Sequence, residues 1–276
     1  MPLMAEAFQD VEVTRVRDGV GASGTDRAAI EEPLEIRLHD RSFAVIMRTP
    51  GADRELAAGF LLAERVLTTP DDLGTIEYCT DSKAEHPENV VNATLAGGSS
   101  DALEKLLDAR RHVTTNSSCG LCGRLTIESL KVDAPALPSR WTVTTSTRVA
   151  LPDRLRQAQK VFDETGGLHA AGLFTRDGRL DTMAEDVGRH NAVDKVIGRM
   201  MMQDRLPLSD HLLFVSGRTS FEIVQKGFLA GIPLVAAVSA PSSLAIDLAR
   251  ECGVTLVGFL RGRNFNVYAH PERVVT

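Results

Sequence analysis

The chain has 276 residues and a formal net charge of −6, with 43% hydrophobic and 25% charged residues. These values are typical of a globular protein that is large enough to bury one or two hydrophobic cores. The negative charge argues against a general nucleic-acid-binding protein, because such proteins need a basic surface.

The N-terminal sequence MPLMAEAFQDVEVTR lacks the basic start and apolar run of a secretory signal. The longest apolar runs, LAAGFLLA and LVAAV, are too short to span a bilayer. We therefore expect a cytoplasmic protein without a membrane segment, whose thiols are kept reduced. A structural disulfide between Cys119 and Cys122 is not expected for the same reason.

The N-terminal half shows a β-rich pattern. GVGASGTD, at residues 19–26, predicts a flexible loop, and the alternation on both sides of His39–Arg41 predicts a hairpin with strands near 33–38 and 42–48. Apolar residues at helical spacing predict a helix that begins near Asp53. Further along, GTIEYCT and NVVNATLA indicate two more strands, and SSDALEKLLDARR indicates a helix.

The C-terminal half alternates strands and helices at short range. LHAAGLFT, HLLFVSG, IPLVAAVS and VTLVGFL are strand-like, whereas NAVDKVIGRMMMQ, SFEIVQKGFLA and SSLAIDLAREC are helical. This order predicts βαβ units around a mainly parallel sheet. Ligands of such sheets bind at the carboxyl ends of the strands, which here are followed by SGRTS, SAPSS and GFLRGR.

The stretch TTNSSCGLCGRL holds two of the four cysteines, Cys119 and Cys122, in a loop of small polar residues. Residues 109–127 contain Arg110, Arg111, His112 and Arg124 but no carboxylate. Positive charge lowers the pKa of a nearby thiol and favours the reactive thiolate. A helix over RLTIESLK would add the partial positive charge of its N-terminus. The pattern therefore favours a nucleophilic or sulfur-carrying thiol.

Two other interpretations of the cysteine pair stay open. The first is a zinc site like that of nucleobase deaminases, in which His86 and Glu88 would join Cys119 and Cys122. Two features of the sequence argue against it. The stretch HPENVVNATL continues into a strand pattern rather than a helix, and Ser118 stands where those enzymes have a proline. A thioredoxin-like redox pair would follow a strand, whereas this pair follows a predicted helix and a polar loop.

Several longer motifs identify a family. CGLCG, TGGLHAAGLF, EDVGRHNAVDKVIG, SGRTSFEIVQK, SAPSSLAIDLA and GFLRGRNFNVY occur in this order. Together with EEPLEIRL and ELAAGFLLAE, they resemble the FdhD family from about residue 31 to residue 269. The resemblance implies an α/β protein, α+β overall, in which a cytidine-deaminase-like three-layer α/β/α domain follows a smaller β-rich domain. We expect the N-terminal domain at 1–112, the cysteine-pair loop and linker at 113–140, and the α/β domain at 141–276.

The resemblance also implies a function. Members of the family are sulfurtransferase-like carriers that take persulfide sulfur from a cysteine desulfurase and pass it to the molybdenum cofactor, the bis-molybdopterin guanine dinucleotide, thereby activating formate dehydrogenase. The family pattern assigns the persulfide to Cys119, and Cys122 would relay the sulfur or resolve the persulfide. It also makes a homodimer plausible. The alternative is a zinc-dependent enzyme similar to nucleobase deaminases; the carrier itself is expected to hold no metal of its own.

The resemblance assigns cofactor binding to the segment Phe259, Leu260, Arg261, Gly262, Arg263 and Asn264. Arg261 and Arg263 suit phosphate, and Gly262 permits close backbone approach. Gly217 and Arg218, where a strand meets the next helix, form a second predicted contact. The cofactor is cargo, and a guanine nucleotide such as GDP would mimic part of it. The resemblance also places Asp186, Arg189, His190 and His169 at the ligand cleft, although a hydrogen-bonded core position suits His169 equally.

Overall fold

The computed structural model describes residues 7–80, 85–97, 135–138, 142–144 and 150–275. The predicted helix SSDALEKLLDARR lies outside these residues, as do the cysteine pair and the cationic residues around it. The predicted helix RLTIESLK and most of the predicted linker do so as well.

The described residues form a mixed α/β structure. Its strands are β1 Phe8–Arg17, β2 Val20–Ala29, β3 Glu32–Leu38, β4 Arg41–Arg48, β5 Leu73–Tyr78, β6 Val90–Leu95, β7 Val143–Thr144, β8 His169–Thr175, β9 Leu180–Asp186, β10 His211–Val215, β11 Leu234–Ala237, β12 Thr255–Arg261, β13 Asn264–Ala269 and β14 Val274–Val275. Its α-helices are α1 Asp53–Ala63, α2 Leu151–Ala158, α3 Lys160–Thr165, α4 Arg189–Met202, α5 Phe221–Leu229 and α6 Ser243–Cys252. No helix in this described part is long and apolar enough to cross a membrane.

The prediction of a flexible loop at residues 19–26 is wrong. Residues 20–26 belong to β2, which pairs antiparallel with β1 from Phe8↔Ala29 to Arg17↔Val20. Asp18 and Gly19 form the turn, and both have positive φ, 50° and 81°. An Asp-Gly pair at such angles is typical of a two-residue hairpin turn. The hairpin therefore depends on the turn and on backbone pairing with β1, rather than on an apolar pattern in β2.

The next four strands form a sheet in the order β4-β3-β6-β5. The predicted hairpin at 33–38 and 42–48 is confirmed as β3 and β4, which pair antiparallel. Leu34, Ile36 and Leu38 point to one face and are fully buried. Helix α1 packs in the same hydrophobic core as these residues.

The C-terminal half contains a six-stranded sheet in the order β13-β12-β11-β10-β8-β9. The prediction of a mainly parallel sheet is wrong, because only the β10–β11 and β11–β12 pairs are parallel. The other three neighbouring pairs are antiparallel. Strands β9 and β13 follow β8 and β12 after short turns, and such turns cannot carry the chain back to a parallel position. Helices lie on both faces of this sheet.

Helices α1 and α4 cross at two glycines. A Cβ atom on Gly59 would lie 2.1 Å from the carbonyl oxygen of Asp194, and one on Gly198 would lie 1.9 Å from that of Glu55. The two backbones therefore touch. One hydrophobic core cluster runs through this crossing and contains residues from both halves of the chain.

Candidate functional site at the carboxyl edge of the sheet

Three loops meet where β10, β11 and β12 end, and we call residues 216–220, 238–242 and 258–264 the carboxyl-edge segments. Backbone hydrogen bonds join them. The Thr219 amide donates to Ala240 O at 3.2 Å, and the Ser242 amide donates to Thr219 O at 3.0 Å. The Phe259 amide donates to Ser239 O at 3.2 Å. The two segments that the sequence predicted for cofactor binding are therefore held at one edge, on either side of the loop after β11.

The third segment is an exposed hairpin end. Phe259 has φ 54° and is 41% exposed, whereas the next residue, Leu260, is fully buried. A left-handed backbone is unusual for a residue with a bulky side chain, and such strain often occurs at functional sites. Gly262, also at φ 54°, forms the turn with Arg263.

The two arginines of this hairpin differ in their contacts. Arg261 Nε donates to Val238 O at 3.1 Å, so this side chain ties β12 to the end of β11. Arg263 is exposed at the turn, and its guanidinium forms no hydrogen bond or ion pair within the described residues. The predicted phosphate contact therefore fits Arg263 better than Arg261.

The first segment brings together the other predicted residues. Gly217 is buried, and a Cβ atom there would lie 3.4 Å from His169 Nδ1 and 3.6 Å from Arg189 Cδ. Both groups therefore lie within van der Waals distance of the end of β10. Arg218, the next residue, is exposed. His169 and Arg189 thus lie at this edge of the sheet.

A cavity of about 590 Å³ opens beside this edge. Its wall includes Gln159, Phe162, His169, Phe214 and Ser216. This size and mixture of aromatic and polar groups suit a flat heterocycle. Burial, and secondly the positive charge of Arg189, lower the pKa of His169, which favours the neutral imidazole.

Asp186 is a structural residue within this region. Its carboxylate accepts hydrogen bonds from the Gly188 amide at 2.7 Å and from Asn191 Nδ2 at 2.8 Å. It also forms an ion pair with buried Lys195 at 2.7 Å, and Lys195 Nζ donates to Thr49 O at 2.8 Å. These contacts join the N-terminal sheet to the start of α4 and occupy the carboxylate.

Two buried polar pairs connect α4 and α5, and they were not predicted from the sequence. His190 Nε2 lies 2.8 Å from Glu222 Oε2, and Lys226 Nζ lies 2.6 Å from Asp194 Oδ1. Burial raises the pKa of Asp194 to about 6. The sequence did contain a signal for these pairs, namely charged residues inside largely apolar helices. Buried charged groups need partners, so these residues predict pairing between helices.

The zinc alternative gains no support from the described residues. His86 and Glu88 are exposed and lie 3.3 Å apart around a short 3₁₀ helix, Pro87–Asn89, rather than on an α-helix. Within the described ranges, no group of three or more His, Cys, Asp or Glu residues is arranged to hold a metal. Cys119 and Cys122, which the alternative also needs, lie outside these ranges.

The described cysteines show contrasting environments. Cys252 is buried, and burial raises the pKa of its thiol to about 11. Such a thiol forms little thiolate and reacts slowly. Cys252 is therefore an unreactive core residue, whereas Cys79 is only partly buried.

Comparison with known proteins identifies the family. The family model described as FdhD/NarQ matches residues 29–275. The chain belongs to the FdhD/NarQ family. Two curated FdhD relatives, each named sulfur carrier protein FdhD, come from Streptomyces avermitilis and Sulfurisphaera tokodaii. The first is 50% identical, with 98% of this chain and 97% of the relative covered; the second is 45% identical, with 96% and 98% covered.

A solved structure supports the same FdhD fold. It is described as a formate dehydrogenase accessory protein from Desulfotalea psychrophila and matches with a TM-score of 0.77 at 25% identity. The match covers 98% of this chain and all of that one. The FdhD/NarQ match also spans the cysteine pair and all three carboxyl-edge segments.

Proposed function

We propose that this protein is a sulfur carrier for a formate dehydrogenase. It takes sulfane sulfur from a cysteine desulfurase and passes it to the bis-molybdopterin guanine dinucleotide form of the molybdenum cofactor. The family membership and the names of the relatives support the carrier role. The observation that carries the cofactor part is that Gly217–Arg218 and Phe259–Asn264 lie at one edge of the sheet, on either side of the loop after β11.

In the proposed first step, the thiolate of Cys119 attacks the terminal sulfur of the donor's cysteine persulfide. A Cys119 S–S bond forms, the donor S–S bond breaks, and the donor cysteine leaves as a thiolate. The product is an anionic Cys119 persulfide. The cationic residues at 110–112 and 124 favour both the attacking thiolate and this product. The reaction needs reduced thiols, and we therefore place the protein in the cytoplasm.

We propose that the cofactor binds at the carboxyl edge as cargo. Its phosphates would contact Arg218, Arg263 and the N-terminus of α5, because helix N-termini and guanidinium groups both favour anions. The cavity beside His169 would hold one of its flat rings. Phe259, which is 41% exposed, presents an aromatic side chain in the same segment as Arg263.

Binding of GDP tests the cofactor site. We expect Arg263→Ala and Arg218→Ala each to weaken GDP binding by at least about tenfold, since a charge-assisted contact contributes about 1.5 kcal/mol or more. Arg250→Ala is the matched control, because Arg250 is an exposed arginine near the opposite end of α6. Isothermal titration calorimetry measures all three variants. Equal affinity in wild type and in both edge variants would refute the site.

Mass spectrometry tests the carrier step. After incubation with a cysteine desulfurase and cysteine, we expect one added sulfur, about 32 Da, on the peptide that contains Cys119. In Cys119→Ala, the adduct should be lost, and formate dehydrogenase should stay inactive in cells that lack their own carrier. Cys252→Ala should retain both the adduct and the dehydrogenase activity. Full dehydrogenase activity with Cys119→Ala would contradict the proposal. Stoichiometric zinc in the purified protein would instead support the deaminase-like alternative.

We also propose that the carrier is a homodimer. The expectation comes from the family resemblance. Sedimentation velocity over a range of protein concentrations measures the mass in solution. A single species of monomer mass at all concentrations would contradict it.

A further inference from the structure

Two neighbouring helices at the carboxyl edge begin with a serine, but only one serine caps its helix. The N-cap residues are Ser220 of α5, with φ −89° and ψ 170°, and Ser242 of α6, with φ −81° and ψ 160°. Ser242 Oγ accepts a hydrogen bond from the Ala245 amide at 3.3 Å, which is the usual serine cap. Ser220 has nearly the same backbone but makes no side-chain cap bond.

The difference comes from His190. Its Nε2 atom lies 2.9 Å from Ser220 Oγ and 2.8 Å from Glu222 Oε2. The His190 and Glu222 side chains are only 6% and 8% exposed, so their positions are set by packing between α4 and α5. The Ser220 hydroxyl is therefore directed toward α4 and away from the amides of its own helix.

The N-terminus of α5 is left without its side-chain cap. The first amides of any helix lack intrahelical partners and carry partial positive charge. Immediately before the cap, Thr219 is 1% exposed, and its Oγ1 atom has no hydrogen-bond partner within the described residues. Arg218 adds an exposed cation. Glu222 lies in the first turn of α5, and its Oε2 atom is next to His190. Its Oε1 atom is buried and has no hydrogen-bond partner within the described part of the chain.

We propose that His190 and Glu222 are positioning residues that hold the Ser220 hydroxyl off the cap, so that the first-turn amides of α5 can bind a phosphate of the cofactor. This inference rests on the proposed function only in that a phosphorylated ligand binds at this edge. His190 acts through Ser220 and does not itself touch the phosphate. Thr219 Oγ1 supplies a further hydroxyl at the same turn.

A double-mutant comparison tests the mechanism, with GDP as the phosphorylated probe and guanosine as the probe without phosphate. In His190→Ala, the released Ser220 hydroxyl caps α5, and we expect GDP affinity to fall about tenfold while guanosine affinity stays unchanged. Ser220→Ala alone should bind GDP like wild type. His190→Ala with Ser220→Ala removes the competing cap oxygen, and we expect GDP affinity to return to within about threefold of wild type.

Three results would overturn the proposal. The double variant could bind GDP as weakly as His190→Ala, Ser220→Ala alone could weaken GDP as much as His190→Ala, or guanosine affinity could fall together with that for GDP. If His190→Ala does not fold, His190→Leu with Glu222→Met removes both partners without leaving a buried charge, and is compared with and without Ser220→Ala. The same pattern of loss and recovery is expected.

A nucleotide-free measurement separates failure of this inference from failure of the proposed function. Amide hydrogen exchange of residues 221–223 should slow in His190→Ala, where Ser220 caps them, and return to the wild-type rate in the double variant. A wild-type protein that binds no GDP but shows this exchange pattern would refute the cofactor site and retain the His190 mechanism. Unchanged exchange rates would refute the mechanism itself.

Discussion

Replacing Gly198 by alanine should strongly destabilise the protein, because α4 touches the backbone of α1 at this residue. The new Cβ atom would lie 1.9 Å from the Glu55 carbonyl oxygen and 2.6 Å from the Gly59 nitrogen. Neither atom belongs to a flexible side chain. The two helices must therefore separate by about 1 Å to relieve the contact.

The cost follows from what α1 buries. Leu56, Phe60 and Leu61 of α1 are at most 7% exposed, and each contributes about 2 kcal/mol by burial. A gap of about 1 Å removes about a third of their contact energy, or about 2 kcal/mol in total. Strain adds about 2 kcal/mol, whereas the better helix propensity of alanine returns about 1 kcal/mol. We expect a net loss of about 3 kcal/mol, and hence a melting temperature lower by about 6–12 °C.

Thermal unfolding followed by circular dichroism measures this change. Gly227→Ala in α5 is the matched control, because its Cβ atom would meet side chains rather than backbone, those of Val235 at 3.1 Å and Leu213 at 4.0 Å. We expect that variant to melt within about 3 °C of wild type, since propensity and slight crowding offset each other. A Gly198→Ala protein as stable as this control would refute the backbone contact between α1 and α4.

Two further predictions concern pKa values that burial raises. For Asp194, the folded pKa of about 6 lies above the ordinary value of 3.8, so the carboxyl's contribution to stability is complete below about pH 4 and is lost as the pH rises through 6. Urea unfolding should therefore show that the stability of wild type relative to Asp194→Asn falls between about pH 4 and pH 7; a constant difference would contradict the raised pKa. For Tyr78, burial and the nearby Asp53 carboxylate raise the pKa to about 12. Because the chain has two tyrosines, a Tyr268→Phe variant isolates Tyr78 in an ultraviolet titration, and ionisation near its ordinary pKa of 10 would show that its environment is misassigned.

Local patterns were sufficient for most regular elements. Alternation in β3 and β4 predicted both strands, because one face of that sheet is buried and the side-chain period of a strand is two. Strand β2 was missed because most of its side chains are exposed, so burial imposes no alternation. The number of parallel strand pairs was overestimated, because the alternating order of strands and helices does not show which neighbouring strands are joined by a hairpin and which by a crossover.

The candidate site was predictable only in part. The carboxyl-edge rule correctly grouped Gly217–Arg218 with Phe259–Asn264, since it depends on strand order alone. It did not distinguish Arg261, which bonds to Val238, from the exposed Arg263. That difference depends on which neighbouring carbonyl a side chain reaches.

The sequence by itself determined the family, the identity of the cysteine pair, and the segments at the carboxyl ends of the strands, because these features lie in contiguous motifs. Only the tertiary structure decided that α1 and α4 touch through Gly59 and Gly198, and that His190 draws the Ser220 hydroxyl away from its helix. Such contacts join residues from distant parts of the chain. They depend on the angle and spacing at which helices pack, which no local pattern of residues specifies.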